Sequence, residues 1–330
     1  MLKLLVSALV AGSFPVLALA QANQPAEPVE TKESSGAPRA PSFVDRGYLL
    51  PRGDFSVELG ATVNSTTMKT ETSTLIEREF RITSSNIKAN LSYGIVNDLN
   101  VSLIASFTPN SQVEDQTSFS KTTSKGMNEP AIGLAYRFLK QSEAMPFDVM
   151  LGLLYSPKGA VLKSATTTDD GNVARGGDEK TIAFAFYRRV NAGEFGLTLS
   201  YVADGEVQEE DATSGDKTER KAKGRTNLFG TAQFEASEKF YVMAGLGLSR
   251  TEEAKSTNLS TNAVVTTDAY VTPSFLGGLR IIAVPQKAFV DLGITVSSAA
   301  DIKTASTAGT SGKIKSLSSV DFSAGVHVEF

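Results

Sequence analysis

The sequence predicts an all-β protein, a transmembrane antiparallel up-and-down β-barrel of about twelve strands. Two observations support this prediction. From Gly53 onward, apolar residues recur at every second position in twelve stretches of about ten residues, which is the period of a strand with one apolar face. The connections between these stretches alternate between short turns and long polar segments, as they do in outer-membrane barrels.

The first 20 residues form a predicted signal peptide. Lys3 precedes an apolar run over 4–19, and the small residues Ala18 and Ala20 stand where a signal peptidase cleaves. A retained membrane-spanning helix is the alternative, but the run is short and is interrupted by a glycine and a proline. We therefore expect residues 1–20 to direct export and to be removed.

Residues 21–52 have the composition of a disordered segment. Five prolines lie among Ser, Glu, Ala and Gly, and such a segment cannot bury enough apolar surface to become ordered. The sequence therefore predicts a periplasmic tether over 21–52, followed by the barrel over 53–330. Whether the tether plugs the lumen is open at this point.

Each of the twelve apolar stretches is interpreted as one membrane-crossing strand, because about ten residues of alternating polarity span the apolar core of a bilayer. An even number of strands places both ends of the barrel on one side of the membrane. The stretches are 55–63, 87–95, 99–107, 132–138, 147–155, 182–186, 195–201, 228–234, 240–248, 271–281, 288–296 and 322–330.

Five short connections alternate with six long ones, which fits the periplasmic turns and extracellular loops of an outer-membrane barrel. We therefore expect a location in the outer membrane of a Gram-negative cell, with lipid as a partner. The long segments are rich in Thr, Ser, Lys and Glu, so we expect solvated, mobile loops there. The short connections cover 96–98, 140–146, 191–194, 235–239 and 284–287, and the long ones cover 65–78, 108–126, 157–177, 204–224, 250–267 and 298–315.

Phenylalanines concentrate on the apolar face where the strands approach the short turns. Ordinary β-propensity explains phenylalanine in strands but not its concentration at one end. We therefore predict an aromatic girdle at one membrane interface. It comprises Phe55, Phe138, Phe147, Phe195, Phe234 and Phe240.

The last predicted strand ends on Phe330, with apolar residues at alternate positions before it. This pattern resembles the C-terminal signature that the barrel-assembly machinery of the outer membrane recognises. We therefore predict that Phe330 is an assembly signal and that this machinery is a partner.

The residues between the apolar positions point to the opposite side of each strand and are expected to line the lumen. Charge belongs on that side, because a charged residue facing lipid at the midplane costs about 2–4 kcal/mol. A polar lumen of this kind admits water. The charged candidates are Glu58, Lys88, Arg137, Asp148, Arg189, Glu194, Arg225, Arg280, Asp291, Asp321, His327 and Glu329.

Six of these charges form three acid–base pairs across short turns, where adjacent strands bring opposite charges together. One interpretation is an ion-selecting or gating ring, and the other is a set of structural cross-strand pairs. We favour the structural interpretation because the signs nearly cancel, so neither cations nor anions gain a clear path. The pairs are Arg137 with Asp148, Arg189 with Glu194, and Arg280 with Asp291.

Composition excludes several classes of function. The 330 residues contain no cysteine, which removes disulfides, thiol nucleophiles and cysteine-ligated metals. The formal net charge is −4, so the sequence does not predict the basic face that nucleic acids need. The single histidine, His327, is predicted to face the lumen, whereas the site of an outer-membrane phospholipase must meet lipid. We expect no enzyme activity, cofactor, metal site or nucleic-acid partner.

Four segments within residues 54–202 follow one another in the order YGIVNDLNVSLIASF, KGMNEPAIGLAYRFL, PFDVMLGLLYSPKG and GGDEKTIAFAFYRRV. A turn over 126–130 precedes the fourth strand, and a Pro-x-Gly over 157–159 follows the fifth. This order resembles an outer-membrane transporter family named for the MetA pathway of phenol degradation, in which Asp stands in place of Glu129. The resemblance implies an outer-membrane barrel that passes small, often apolar solutes, and it implies no catalytic residues.

The function predicted from the sequence is a passive or weakly selective channel for small solutes. The polar inward-facing residues and the six long connections support it. The alternative is a non-conducting barrel, structural or acting on a surface partner through its extracellular loops, which the compensating inward charges support. The sequence leaves open the solute, the state of the bore and the oligomeric state.

Overall fold

The computed structural model describes residues 49–142, 145–166, 170–173, 176–190, 193–211, 215–285, 287–309 and 311–330. The predicted signal peptide and residues 21–48 of the predicted tether lie outside these ranges. All regular secondary structure in the described ranges is β-strand.

Within the described ranges, eighteen strands build the fold, and twelve of them form the barrel wall. In chain order they are β1 (Phe55–Thr72), β2 (Glu77–Val96), β3 (Leu99–Asp115), β4 (Ser120–Met127), β5 (Ala131–Leu139), β6 (Asp148–Ser156), β7 (Leu162–Ser164), β8 (Glu179–Val190), β9 (Gly193–Asp204), β10 (Val207–Asp211), β11 (Lys217–Arg220), β12 (Lys223–Ser237), β13 (Phe240–Thr251), β14 (Ala254–Asn258), β15 (Val264–Thr267), β16 (Tyr270–Val284), β17 (Ala288–Ser306) and β18 (Ser311–Glu329). The wall strands are β1, β2, β3, β5, β6, β8, β9, β12, β13, β16, β17 and β18.

The wall closes on itself. Each wall strand pairs antiparallel with the wall strand that follows it in the chain, and β18 pairs with β1 to complete the ring. Closure gives the first and last strands the backbone partners that they would lack in an open sheet, which is what a β-structure in lipid requires. The predicted antiparallel up-and-down barrel of twelve strands is confirmed.

Polar and apolar side chains alternate between the two faces of the wall. On β9, Leu197 is 47% exposed on the outer face, whereas Ser200 is buried on the inner face. Exposed large apolar side chains recur at alternate positions on all twelve wall strands. An apolar exterior of this extent is unfavourable in water and favourable in lipid. The apolar face of each wall strand therefore points outward, as the sequence predicts.

Most of the long connections contain strand where the sequence predicts loop, and the prediction is wrong for them; among the described residues of 157–177, however, only Leu162–Ser164 is strand. β1 continues to Thr72 and β2 begins at Glu77, so little of the predicted loop over 65–78 is left. The strands β4, β7, β10, β11, β14 and β15 occupy four of the other long connections. Threonine and serine gain backbone partners when the neighbouring hairpins also continue past the apolar band. We call this side of the barrel the long-hairpin end and the opposite side the short-turn end.

An apolar cluster fills one side of the lumen at the long-hairpin end. Met68, Phe80, Ile82, Ile302 and Ile314 project from the inner faces of β1, β2, β17 and β18 and are buried against one another. Burial of these side chains stabilises hairpins that extend beyond the apolar band. The lumen is therefore not uniformly polar, which corrects the prediction for this region.

A charged cluster connects neighbouring hairpins at the same end. Lys315 Nζ lies 2.6 Å from Glu71 Oε2 and also contacts Glu77. The hydrogen bond from Lys315 lowers the pKa of Glu77, and the hydrogen bonds to Glu71 and Glu77 raise the pKa of Lys315. The cluster joins β1, β2 and β18 at a solvent-screened position, where ion pairs contribute little stability.

The two ends of the barrel chain meet at the short-turn end. Phe330 N donates to Phe55 O over 2.9 Å, and Phe55 N donates to Phe330 O over 3.3 Å. The two rings stack with their centroids 4.9 Å apart. Phe330 therefore extends the seam between β1 and β18.

Deleting Phe330 is expected to impair assembly in cells far more than the stability of the refolded barrel. The deletion removes two backbone hydrogen bonds of about 0.5–1.5 kcal/mol each and a ring pair of about 0.5–1.5 kcal/mol, while the β1–β18 ladder continues to Thr72. Pulse-chase folding in cells and denaturant unfolding of the refolded protein measure the two effects. Phe55→Ala is the matched control, because it removes the ring pair but keeps the terminal phenylalanine. Equal assembly defects in both variants would contradict the predicted signal.

Candidate functional site

The candidate functional site is the lumen of the barrel. A cavity of about 820 Å³ lies inside the wall. Its lining includes Arg78 and Asp115 at the long-hairpin end and Arg280 and His327 near the short-turn end. A cavity of this volume accommodates a small molecule.

Eight of the twelve charged residues proposed for the lumen contribute to the lining of this cavity. They are Glu58, Lys88, Glu194, Arg225, Arg280, Asp291, Asp321 and His327. The other four, Arg137, Asp148, Arg189 and Glu329, lie near the short turns and are not part of the cavity lining. Arg137 and Asp148 are nevertheless buried on the inner side of the wall.

The three predicted acid–base pairs are present in the structure. Arg280 makes a two-pronged contact with Asp291, with nitrogen–oxygen distances of 2.6 and 2.7 Å. The other two are looser: Arg137 Nη1 lies 3.8 Å from Asp148 Oδ1, and Arg189 Nε lies 3.9 Å from Glu194 Oε2.

Further contacts join these pairs into one band. Arg137 Nη2 donates to Asp98 Oδ1 over 2.6 Å, and Arg189 Nη2 donates to Asp148 Oδ2 over 2.6 Å. Gln233 pairs with Glu194 across β9 and β12, and its Oε1 lies 3.5 Å from Arg280 Nη1. We call this band the charge belt; it consists of Asp98, Arg137, Asp148, Arg189, Glu194, Gln233, Arg280 and Asp291.

The charge belt alternates in sign around much of the short-turn end. Asp148 is fully buried and accepts from Gln141 N over 2.7 Å in addition to its arginine contacts. Removing one partner of a buried ion pair costs about 3–5 kcal/mol. The belt therefore holds adjacent strands in register. This arrangement supports structural pairs over an ion-selecting ring. Asp98 and Gln141 lie in short turns, outside the strand alternation, so the alternation does not identify them.

A short N-terminal segment enters the lumen at the short-turn end. We call residues 49–52 the strap. Leu49 and Leu50 are 0% and 1% exposed, and Leu49 packs against Met150 and Tyr187 on β6 and β8. These residues belong to the predicted tether over 21–52, so the last part of that segment is packed inside the barrel.

The C-terminal end of the strap is anchored on β2. Gly53 turns the chain with φ of 91°, and its N donates to Gly94 O over 2.8 Å. Arg52 N donates to Asn97 Oδ1 over 3.0 Å. A side chain at Gly94 would place Cβ 2.0 Å from Pro51 O, so glycine is required where the strap crosses. The strap therefore runs from β2 to β6 and β8 across part of the bore.

His327 lies on β18 near the short-turn end. Its ring stacks on Phe289 with centroids 4.5 Å apart, and the Arg280 guanidinium carbon lies 4.2 Å from the centre of the Phe289 ring. His327 is buried. It faces inward, as the alternation predicts, and packs in an aromatic and cationic stack rather than at the lipid-facing surface.

The predicted girdle residues lie near the short turns. Phe195 and Phe234 meet edge to face with centroids 5.5 Å apart, and Phe147 meets Phe186 at 6.0 Å. Five members of the set are exposed on the outer face: Phe55, Phe138, Phe195, Phe234 and Phe240. Their contact with a membrane interface stays a prediction.

Among the described residues, no helix is long and apolar enough to cross a membrane. In that part of the chain, no group of three or more His, Cys, Asp or Glu side chains is arranged to hold a metal ion.

The closed twelve-stranded wall, its apolar exterior and its cavity define the fold as a transmembrane β-barrel. The structure is similar to an outer membrane channel from Pseudomonas putida F1, with a TM-score of 0.56 and 10% sequence identity over 90% of this chain and 100% of that chain. At this identity the likeness shows the fold alone. No protein-family model matches the sequence, and no curated protein is significantly similar to it.

Two further solved structures match with lower scores. The NanC porin gives a TM-score of 0.42 and 10% identity over 81% of this chain and 98% of that chain. A FadL homologue from Pseudomonas aeruginosa gives a TM-score of 0.40 and 8% identity over 87% of this chain and 92% of that chain.

Proposed function

We propose that this protein is an outer-membrane channel for small solutes in a Gram-negative cell. The observation that supports the proposal most is the cavity, because one space reaches lining residues at both ends of the barrel. Polar side chains such as Lys88, Thr198 and Asp321 line it, so water can fill it. The likeness in fold to an outer membrane channel agrees with this proposal.

In this proposal the short-turn end faces the periplasm and the long-hairpin end faces outward, as the lengths of the connections favour. A signal peptide over 1–20 directs export, and the barrel-assembly machinery inserts the chain. Membrane lipid contacts the apolar exterior. Membership of the phenol-degradation transporter family stays a prediction that agrees with a channel function.

A non-conducting barrel is the second candidate, and a specific observation favours it. The charge belt and the strap narrow the short-turn end from two sides, and the apolar cluster fills part of the other end. A barrel closed in this way would act through its outer surface. The two functions differ in whether ions cross the bore.

Planar-bilayer recording of the refolded protein separates the two functions. We expect discrete current steps, because a water-filled cavity of this kind lowers the barrier to ions. The matched control is the same protein heated in detergent before addition, which removes the fold but keeps any contaminating detergent or salt. A bilayer that stays silent over a range of voltage, salt and pH would overturn the channel proposal and favour the non-conducting barrel.

A further inference from the structure

The cavity lining carries more acidic than basic side chains. Among the described residues that line it, eight are Asp or Glu and five are Lys or Arg. Ion pairs within the lining, such as Arg280 with Asp291, remove one charge of each sign and leave this surplus unchanged. Arg220, from outside the lining, pairs with Glu209, and a negative surplus still remains. A bore lined by a surplus of one sign concentrates ions of the opposite sign, so this cavity attracts cations.

Asp321 is an acidic lining residue on β18 without a basic partner. Among the described residues, no basic nitrogen lies within 4.0 Å of its carboxylate. The hydrogen bond that its side chain makes with the described part of the chain is the one from Asn64 Nδ2 to Asp321 Oδ1, over 2.5 Å. Asp321 Oδ2 is therefore available to water or to a solute in the cavity.

The basic residues on neighbouring strands have acidic partners of their own. Lys88 of β2 lies diagonally opposite Glu58 of β1 on the inner face and interacts with it electrostatically. Arg280 of β16 is held by both carboxylate oxygens of Asp291. The charge of Asp321 is thus not neutralised by either of these residues.

Hydrogen bonds hold the Asn64 side chain in place beside Asp321. The two residues pair across β1 and β18. Asn64 Nδ2 also donates to Ser319 Oγ over 2.7 Å, and Thr66 Oγ1 donates to Asn64 Oδ1 over 2.9 Å. Because both ends of the Asn64 amide are bonded, its donor is directed at Asp321 Oδ1 and the carboxylate is oriented before any solute arrives.

Hydroxyl groups surround Asp321 on the inner face of the wall. Thr295 of β17 pairs with Asp321, and Ser323 and Thr62 pair with each other one row nearer the short-turn end. All three line the cavity. None of their hydroxyls has a hydrogen-bond partner in the part of the chain that the structure describes. These hydroxyl oxygens can accept hydrogen bonds from a bound group.

Two glycines leave space one row further toward the short-turn end. Gly60 and Gly325 pair with each other and line the cavity. A Cβ at Gly60 would meet no described atom nearer than Ala324 O at 3.7 Å. A Cβ at Gly325 would meet none nearer than Leu59 O, also at 3.7 Å. No described side chain fills the wall surface beside the hydroxyl groups.

We propose that Asp321, with the hydroxyls of Thr62, Thr295 and Ser323, binds the ammonium group of small primary amines. This inference rests on the proposed channel function and specifies its solute class as cationic. A primary ammonium has three N–H donors. The Asp321 carboxylate accepts one of them in a charge-assisted hydrogen bond, and hydroxyl oxygens accept the others. A neutral solute leaves the carboxylate charge unpaired, and an anion is repelled by it.

Equilibrium dialysis of radiolabelled n-butylamine tests the site at pH 7, where this amine is protonated. The protein is held in phosphatidylcholine nanodiscs, which carry no net charge that could bind the probe. We expect saturable binding that unlabelled n-butylamine displaces and 1-butanol does not. Tetramethylammonium, which has the charge but no N–H donor, should compete more weakly than n-butylamine.

Asp321→Asn should weaken binding about tenfold, because it keeps the size of the side chain but removes the charged acceptor. The matched control is Asp301→Asn on β17. Asp301 is exposed and outside the cavity lining, and its φ of 55° is one that asparagine also adopts. This control removes the same charge from the same face of the membrane and should leave binding unchanged.

A second pair of variants tests the site without removing Asp321. Ser323→Lys supplies an ammonium two residues from Asp321 on the same face of β18, so it should compete with the probe and abolish saturable binding. Ser323→Gln adds a side chain of similar length without charge and should bind the probe more tightly than Ser323→Lys.

Bilayer recordings of the same proteins separate this inference from the channel proposal. In a potassium chloride gradient the reversal potential should show preference for potassium, and Asp321→Asn should reduce that preference. Equal binding by Asp321→Asn and Asp301→Asn, or no saturable binding by a protein that conducts ions, would overturn this inference and leave the channel proposal standing. Binding that requires Asp321 in a protein that stays silent would support the site and overturn the channel. A protein that neither conducts nor binds would overturn both.

Discussion

Removing the strap should raise the single-channel conductance several-fold. The variant lacks residues 21–52 and keeps the predicted signal peptide over 1–20, so cleavage at the predicted site would leave a chain that begins at Gly53. Leu49 and Leu50 are fully buried within the bore, and their removal widens the path at the short-turn end. The barrel itself should persist, because the β1–β18 seam starts at Ser56 and does not include the strap. Planar-bilayer recordings of the variant and the unaltered protein measure the change.

The matched control for this variant lacks residues 21–48 and keeps the strap. Its conductance should be lower than that of the variant that also lacks the strap, because the two variants differ only in residues 49–52. Gly94→Leu tests the same idea without shortening the chain, because a side chain there meets Pro51 O and should displace the strap. Equal conductance in all variants would show that the strap does not limit the path.

A buried polar residue beside the strap lowers the free-energy cost of displacing the strap. Asn100 pairs with Gly94, beside the strap, and is buried. Neither its amide nitrogen nor its amide oxygen has a hydrogen-bond partner among the described residues. A buried amide without partners costs about 1–3 kcal/mol, and water would reach it once the strap leaves. The free energy gained by hydrating the Asn100 amide offsets part of the cost of exposing the two leucines, which is about 1.5–3 kcal/mol each.

Replacing Leu197 with arginine is expected to prevent insertion of the barrel. Leu197 projects from the middle of β9 into the apolar exterior, where it is 47% exposed. An arginine at the bilayer midplane costs about 2–4 kcal/mol, a large part of the stability of a typical domain. Refolding into vesicles, followed by protease resistance and heat-dependent electrophoretic mobility, measures the inserted fraction.

Thr198→Arg is the matched control for Leu197→Arg. Thr198 is the next residue on the same strand, but it lines the cavity and hydrogen-bonds to Tyr187. An arginine there reaches water, so this variant should insert, and in a conducting barrel it should shift ion selectivity toward anions. Failure of Thr198→Arg to insert while Leu197→Arg inserts normally would invert the face assignment of β9.

Much of the wall follows from the sequence alone. Strand alternation has a period of two, so each residue's side of the wall can be assigned from its immediate neighbours. This local rule predicts the twelve strands, the exposed Leu197 and the inward His327. It also predicts the pairs Arg189–Glu194 and Arg280–Asp291, because a short turn fixes which residues of a hairpin face each other.

The tertiary structure decided the features that depend on contacts between distant parts of the chain. The charge belt forms because pairing between successive hairpins brings their charged residues beside one another, and no single hairpin contains that information. The strap has no strand alternation, and Leu49 is held by Met150 and Tyr187, which lie 101 and 138 residues further along the chain. A local pattern can specify a strand and its faces, but only the closed barrel determines what meets inside it.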